Sequence, residues 1–177
     1  VQAMELLAER LREAQPDVIV VISSHVAQHA SAFSINLHDE YRIDFEDFGD
    51  MSTTRWLKPD LELATLVQNA AHSAEIPITL DSNVSLDYGT GVPLFYLTAS
   101  QPDVHILPLS YSGLPLKMHI RYGTVLKDVF ENSSKRVAII ASGDLSHCLS
   151  SDAPLGYKPE GETYDTKILE VVKGLYM

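Results

Sequence analysis

Two uninterrupted apolar runs constrain this chain more than any other feature: Val18-Ile19-Val20-Val21-Ile22 and Val137-Ala138-Ile139-Ile140-Ala141. Neither alternates with polar residues, so each reads as a strand covered on both faces, as in a parallel sheet flanked by helices. Each run then breaks into small and polar residues, Ser23-Ser24-His25 in one case and Ser142-Gly143-Asp144-Leu145-Ser146-His147 in the other. Open α/β sheets usually build their sites this way, with polar groups delivered at the carboxyl ends of strands.

The segments between fit that rhythm. Leu6, Leu7 and Leu11 share one face of a helix reaching about Ala14, and Gln15-Pro16-Asp17 turns it into the first run. Phe33 to Leu37 alternates and predicts a short, half-exposed strand, whereas Tyr41 to Met51 is acidic and aromatic and reads as a loop. Pro59-Asp60 opens a helix through about Ala74, because proline suits the first turn and carboxylates its positive end. Ile76 to Leu80 is a short strand, and Leu86 to Pro93 is a glycine-rich turn leading into a helix from Leu94 to Ala99. Val104 to Ser110 is a strand that Pro108 places near an edge or a bend. Helices follow from Leu116 to about Asn132 and from Glu162 to about Lys173. The expected fold class is α/β, a single three-layer domain over residues 1–177 with a mostly parallel central sheet and helices on both faces. The chain opens inside an amphipathic helix and ends just after another, which predicts the middle of a longer protein.

Charge narrows the partners. Lys+Arg 13 against Asp+Glu 24 leaves a net charge of -11, the wrong sign for electrostatic nucleic-acid binding or for attraction to anionic membranes. The single Cys148 rules out an internal disulfide framework and fits a reducing compartment. No apolar run has membrane-spanning length, and the expectation is a cytoplasmic domain.

Three polar stations sit where the pattern changes: His25, Asp87-Tyr88-Gly89-Thr90, and Ser142 to His147. In a parallel sheet alternate turns fall on one edge, so distant stations converge there. His25 reads either as a hydrogen-bonded loop histidine or as a ligand for iron or zinc. His147 reads either as a helix-start histidine or as an acid–base catalyst, with Asp144, three residues away, as a ring-orienting group or a helix cap. His29, His38, His72 and His119 read as solvated, His105 as a packing residue and Cys148 as a buried thiol. No P-loop, GxGxxG, CxxC or GxSxG motif is present.

Taken together, three segments resemble the class III extradiol ring-cleavage dioxygenases of subunit-B type and the Memo-like, AmmeMemoRadiSam-associated proteins sharing their fold. These are Val18 to His25, Leu86-Asp87-Tyr88-Gly89-Thr90-Gly91-Val92-Pro93-Leu94, and Ala141 to His147; Gly156-Tyr157 and Glu162-Thr163-Tyr164-Asp165 also match. The resemblance implies an Fe(II) enzyme, with Zn(II) as the other metal to consider, that opens a small catechol-type aromatic with O₂. His25 then matches the second histidine ligand and His147 the acid–base group, oriented by Asp144. Asp87, Gly89 and Ser146 fall on the substrate side. Tyr88 stands where many members carry histidine, which changes a second proton-handling group. The family's first histidine ligand would lie upstream of Val1 and its glutamate downstream of Lys173. Glu160 and Glu162 are substitutes by type, but also ordinary helix-start carboxylates. The alternative is a Memo-like protein that binds a ligand or peptide in the same cleft without the reaction; a zinc-dependent hydrolase is a third reading. A homodimer is the commonest assembly for such domains.

Overall fold

The computed structural model describes residues 2–26 and 28–175. Along the chain its elements are α1 (Gln2–Ala14), β1 (Val18–Ser23), β2 (Phe33–Asn36), β3 (Tyr41–Phe45), β4 (Asp50–Pro59), α2 (Leu61–Ser73), β5 (Ile78–Asp81), α3 (Tyr88–Leu97), β6 (His105–Ser110), α4 (Leu116–Glu131), β7 (Val137–Ser142) and α5 (Pro159–Gly174), with a 3-10 turn at Glu46–Phe48. They divide into two compact units, Val1–Ser142 and Gly143–Met177.

In the first unit β1 runs between β6 and β7 and parallel to both, with Ser23 opposite Ser110 on one side and Ser142 on the other. The order is β3-β4-β6-β1-β7, and β2 pairs with β5 and touches β6. Val18, Ile19, Val20 and Val21 have no exposed surface. Val18 and Val20 enter a cluster with Leu63, Val67, Tyr122 and Leu126 from α2 and α4. Ile19 and Val21 enter another with Tyr41, Ile43, Leu57 and Leu94, against which Leu11 of α1 packs. A strand whose odd and even side chains both find helices is the three-layer α/β arrangement expected from its uninterrupted apolar run. Each such side chain contributes about 1.5–3 kcal/mol by burial.

Five expectations change in detail. β7, expected to be covered on both faces like β1, ends the sheet order, holds no buried residue and leaves Ile139 57% exposed. The stretch read as an acidic loop is a hairpin: β3 and β4 pair antiparallel, with Gly49 at φ 84° closing the turn. Tyr41 and Ile43 point inward in alternation, so Arg42 between them and Asp44 beyond occupy the outer face. β2 is buried on both faces rather than half exposed. His105 is exposed, not packed. Pro108 lies in an interior strand, because β4 pairs with β6 only as far as Ile106 and β2 joins only at Leu109. Its missing N–H therefore falls in a gap between two neighbours.

Asp60 caps α2 by accepting from the Leu63 amide at 2.9 Å, and it also receives Lys135 Nζ at 2.7 and 2.8 Å. Burial pulls the Lys135 ammonium down, but the bonds to Asp60 and Glu62 outweigh it and leave its pKa raised. Burial pushes the Tyr41 hydroxyl up to about 12, while its donated bond to the Asn36 carbonyl is 2.5 Å. Tyr122 is raised by burial too. A raised tyrosine pKa means the unfolded chain loses its proton first as pH climbs, so this stability is whole below about pH 10 and declines toward pH 12. Urea midpoints are expected to hold between pH 7 and 9 and to fall above pH 10. The share from Tyr41 amounts to about 2–3 kcal/mol, and in Tyr41→Phe that part of the pH slope disappears.

In the second unit the loop from Gly143 is tied to the start of α5. The Ser146 amide donates to the buried Asp165 carboxylate at 2.7 Å, and the Lys158 amide donates to the Cys148 carbonyl at 2.8 Å. Pro159 takes the first helical position, one turn before the expected start at Glu162. Cys148 is buried, as expected, and a Cβ built on Gly161 would stand 2.5 Å from its sulfur.

Candidate functional site

The site is assembled where β1 ends. Ser23, its last residue, is buried and donates its hydroxyl to Asp87 Oδ1 at 2.7 Å. The same carboxylate caps α3, accepting from the Thr90 amide at 3.0 Å and from the Thr90 hydroxyl at 2.7 Å. One side chain thus fixes the start of a helix to the end of a strand 64 residues earlier in the sequence. That cap explains why α3 begins at Tyr88 and not at Leu94: three bonds to Asp87 offset the poor helix propensity of Gly89, Gly91 and Pro93. Gly89 is required by proximity. A Cβ there would lie 2.5 Å from Ser23 Oγ and 2.7 Å from His25 Cδ2.

His25 is held from several directions. Its amide donates to Ser23 Oγ at 3.1 Å, and the Tyr88 hydroxyl meets its Nδ1 at 2.6 Å. The two rings lie 4.1 Å apart at 36°. That contact fixes the orientation of the imidazole. Beside it opens a cleft of about 90 Å³, lined by Ser34, Asn36, Asp81, Asn83, Asp87 and Ser110 among others. Sequence reading missed three parts of this wall. His29 Nε2 pairs with Asp81 at 3.1 and 3.2 Å. Asn36 and Asn83 bond reciprocally, side chain to backbone, at 2.8 Å each way. The Ser34 amide and hydroxyl both donate to Ser110 Oγ. None carries a local signal, since each joins residues far apart in sequence.

Of the three expected stations, the first two therefore meet within the first unit: His25 with Tyr88, and Ser23 with Asp87. The strand leading to the third ends level with β1, Ser142 opposite Ser23. Within the second unit, His147 Nε2 stands 3.0 Å from Asp144 Oδ2, the pairing expected of an oriented imidazole. Ser146 presents its amide to Asp165 and its hydroxyl is buried.

A metal of the expected kind needs about three protein donors. No group of three or more His, Cys, Asp or Glu placed to hold a metal occurs among the described residues. His25 is a suitable single donor, but the neighbouring Asp87 carboxylate is occupied by Ser23 and Thr90. Among the described residues, therefore, His25 is one donor by type and the set is not a complete iron site.

A parallel sheet with histidines after its strand ends defines the class as an α/β protein with a polar cleft at the carboxyl edge. More narrowly, the chain belongs to the family of the catalytic LigB subunit of aromatic ring-opening dioxygenase, which it matches over residues 1–174. It is 28% identical over 181 residues to protein CA_C1420 of Clostridium acetobutylicum, a match covering 97% of this chain and 39% of that protein. The chain thus spans about two-fifths of the length of that curated relative. A crystal structure of the uncharacterized protein JW3007 from Escherichia coli K12 shares the fold. The TM-score is 0.62 at 20% identity, over 82% of this chain and 54% of that one.

Proposed function

We propose that this chain serves an extradiol, ring-cleaving dioxygenase that acts on a catechol-type aromatic with O₂, with His147 as acid–base group and Fe(II) as the metal the family implies. The observation that supports it is the His147–Asp144 pair at 3.0 Å, within a Ser-Gly-Asp-Leu-Ser-His run in a chain of the ring-opening family. With Nε2 turned to Asp144, His147 would use Nδ1 to take a proton from a catechol hydroxyl and later return one. The carboxylate stabilises the imidazolium formed in between. Asp87, Gly89 and Ser146 are proposed to shape the substrate side, and His25, with Tyr88 fixing its ring, to supply one imidazole to the metal. A cytoplasmic, homodimeric enzyme of the subunit-B, Memo-like branch completes this reading; no described helix is long and apolar enough to cross a membrane.

The second reading is a Memo-like protein that binds a ligand or peptide in the same cleft without reaction. It draws on the Tyr88 hydroxyl at His25 Nδ1, in the place where histidine is common in the family. Oxygen consumption separates the two. Protein supplied with Fe(II) and catechol is expected to take up O₂ mole for mole with loss of catechol. Binding of catechol without O₂ uptake, under all metal loadings, would overturn the dioxygenase reading in favour of the second.

A further inference from the structure

Phe48 is two-thirds exposed at the tip of the β3–β4 hairpin, yet it does not stand alone. Its ring meets Tyr88 edge-on, 5.6 Å between centroids at 81°, and Tyr88 in turn lies against His25. Three rings thus run in series from the surface to the histidine at the cleft. Edge-to-face contacts at this spacing are favourable between aromatic rings and absent for saturated ones. The hairpin is also acidic: Asp44, Glu46, Asp47 and Asp50 flank Phe48 in sequence, and Arg42 pairs with Asp44 and Glu46 at 3.0 and 3.8 Å. The Thr53 and Ser52 bonds hold the Asp50 carboxyl well below the usual carboxylate range, so it stays charged.

We propose that Phe48, backed by Tyr88, is a specificity-determining residue: an aromatic wall that admits a planar ring carrying no negative charge. This rests on the ring-opening reading for the catechol character of the ligand and adds which catechols enter. The wall gives the ring a partner, and the acidic hairpin repels a ring carboxylate over a Debye length of about 8–10 Å.

Calorimetric titration of the purified protein with catechol, cyclohexane-1,2-diol and 3,4-dihydroxybenzoate tests it. Catechol is expected to bind roughly three- to tenfold more tightly than the saturated diol. The dihydroxybenzoate should bind more weakly than catechol, by a margin that shrinks as salt is raised. Phe48→Ala should bring catechol and the diol to within about twofold of each other, and Phe48→Trp should keep them apart. Because Phe48 is exposed, its variants are expected to melt as the parent does. Unchanged discrimination in Phe48→Ala, or no catechol binding at all, would overturn the wall; a dihydroxybenzoate binding as tightly as catechol at low salt would overturn its charge filter. If discrimination depends on Phe48 but O₂ is never consumed, only the ring-opening reading falls. If O₂ is consumed and Phe48→Ala discriminates normally, only the wall falls.

Discussion

Gly89→Ala is expected to cost roughly 1–3 kcal/mol of stability and to abolish ligand binding at His25. The added methyl would arrive 2.5 Å from Ser23 Oγ, 2.7 Å from His25 Cδ2 and 3.0 Å from Asp87 Oδ1. None of these can step aside cheaply. Ser23 and Asp87 are bonded to each other, and the carboxylate also holds the first turn of α3 through Thr90. Relief must come from the imidazole, which would swing off the Tyr88 hydroxyl, or from the helix start, which would lose its cap. A displacement of about 1 Å at a positioned group is worth on the order of a hundredfold in rate. The activity loss should therefore exceed what the fall in melting temperature suggests. Gly91→Ala is the control, since its Cβ would meet only Ile43 Cγ2, at 3.4 Å. A Gly89→Ala protein with parental melting and binding would show that Ser23, His25 and Gly89 are not packed as described.

His147→Ala is expected to lower kcat by about 10²–10⁴-fold, the range general acid–base groups supply, while bound metal stays at the parental level. Asp144→Asn should act more gently, because the ring remains but its imidazolium form loses a carboxylate 3.0 Å away. Parental turnover in Asp144→Asn would take the carboxylate out of the mechanism, and full turnover in His147→Ala would take out the imidazole.

The parts of the fold that were legible are those in which local pattern and tertiary need agree. The apolar run at Val18 is a strand because helices cover both its faces; the run at Val137 is a strand at the end of the sheet order, and the helix expected from Pro59-Asp60 forms with Asp60 as its cap and Pro59 left in β4. The hairpin was hidden because Asp44, Glu46, Asp47 and Asp50 mask the inward alternation of Tyr41 and Ile43. The start of α3 was hidden because Gly89, Gly91 and Pro93 oppose a helix locally, and what overrides them is a serine 64 residues away. The places of His25 and Ser142 at or just after strand ends could be read from the pattern. Partners could not: Tyr88 at His25 and His29 at Asp81 are joined across 63 and 52 residues by nothing that spacing reveals.

Pro108 has a consequence for how such a cleft can diversify. Lacking a donor, it leaves a seam in the ladder between the stretch of β6 held by β4 and the stretch held by β2, and Pro108, Leu109 and Ser110 line the cleft at that seam. Ser34, Asn36, Asp81 and Asn83 lie outside the β6-β1-β7 ladder, so replacing one of them removes a single pair, to Ser110, to each other or to His29, while the ladder's backbone pairing stays closed. The lining can thus be re-tailored pair by pair on a scaffold that need not be refolded.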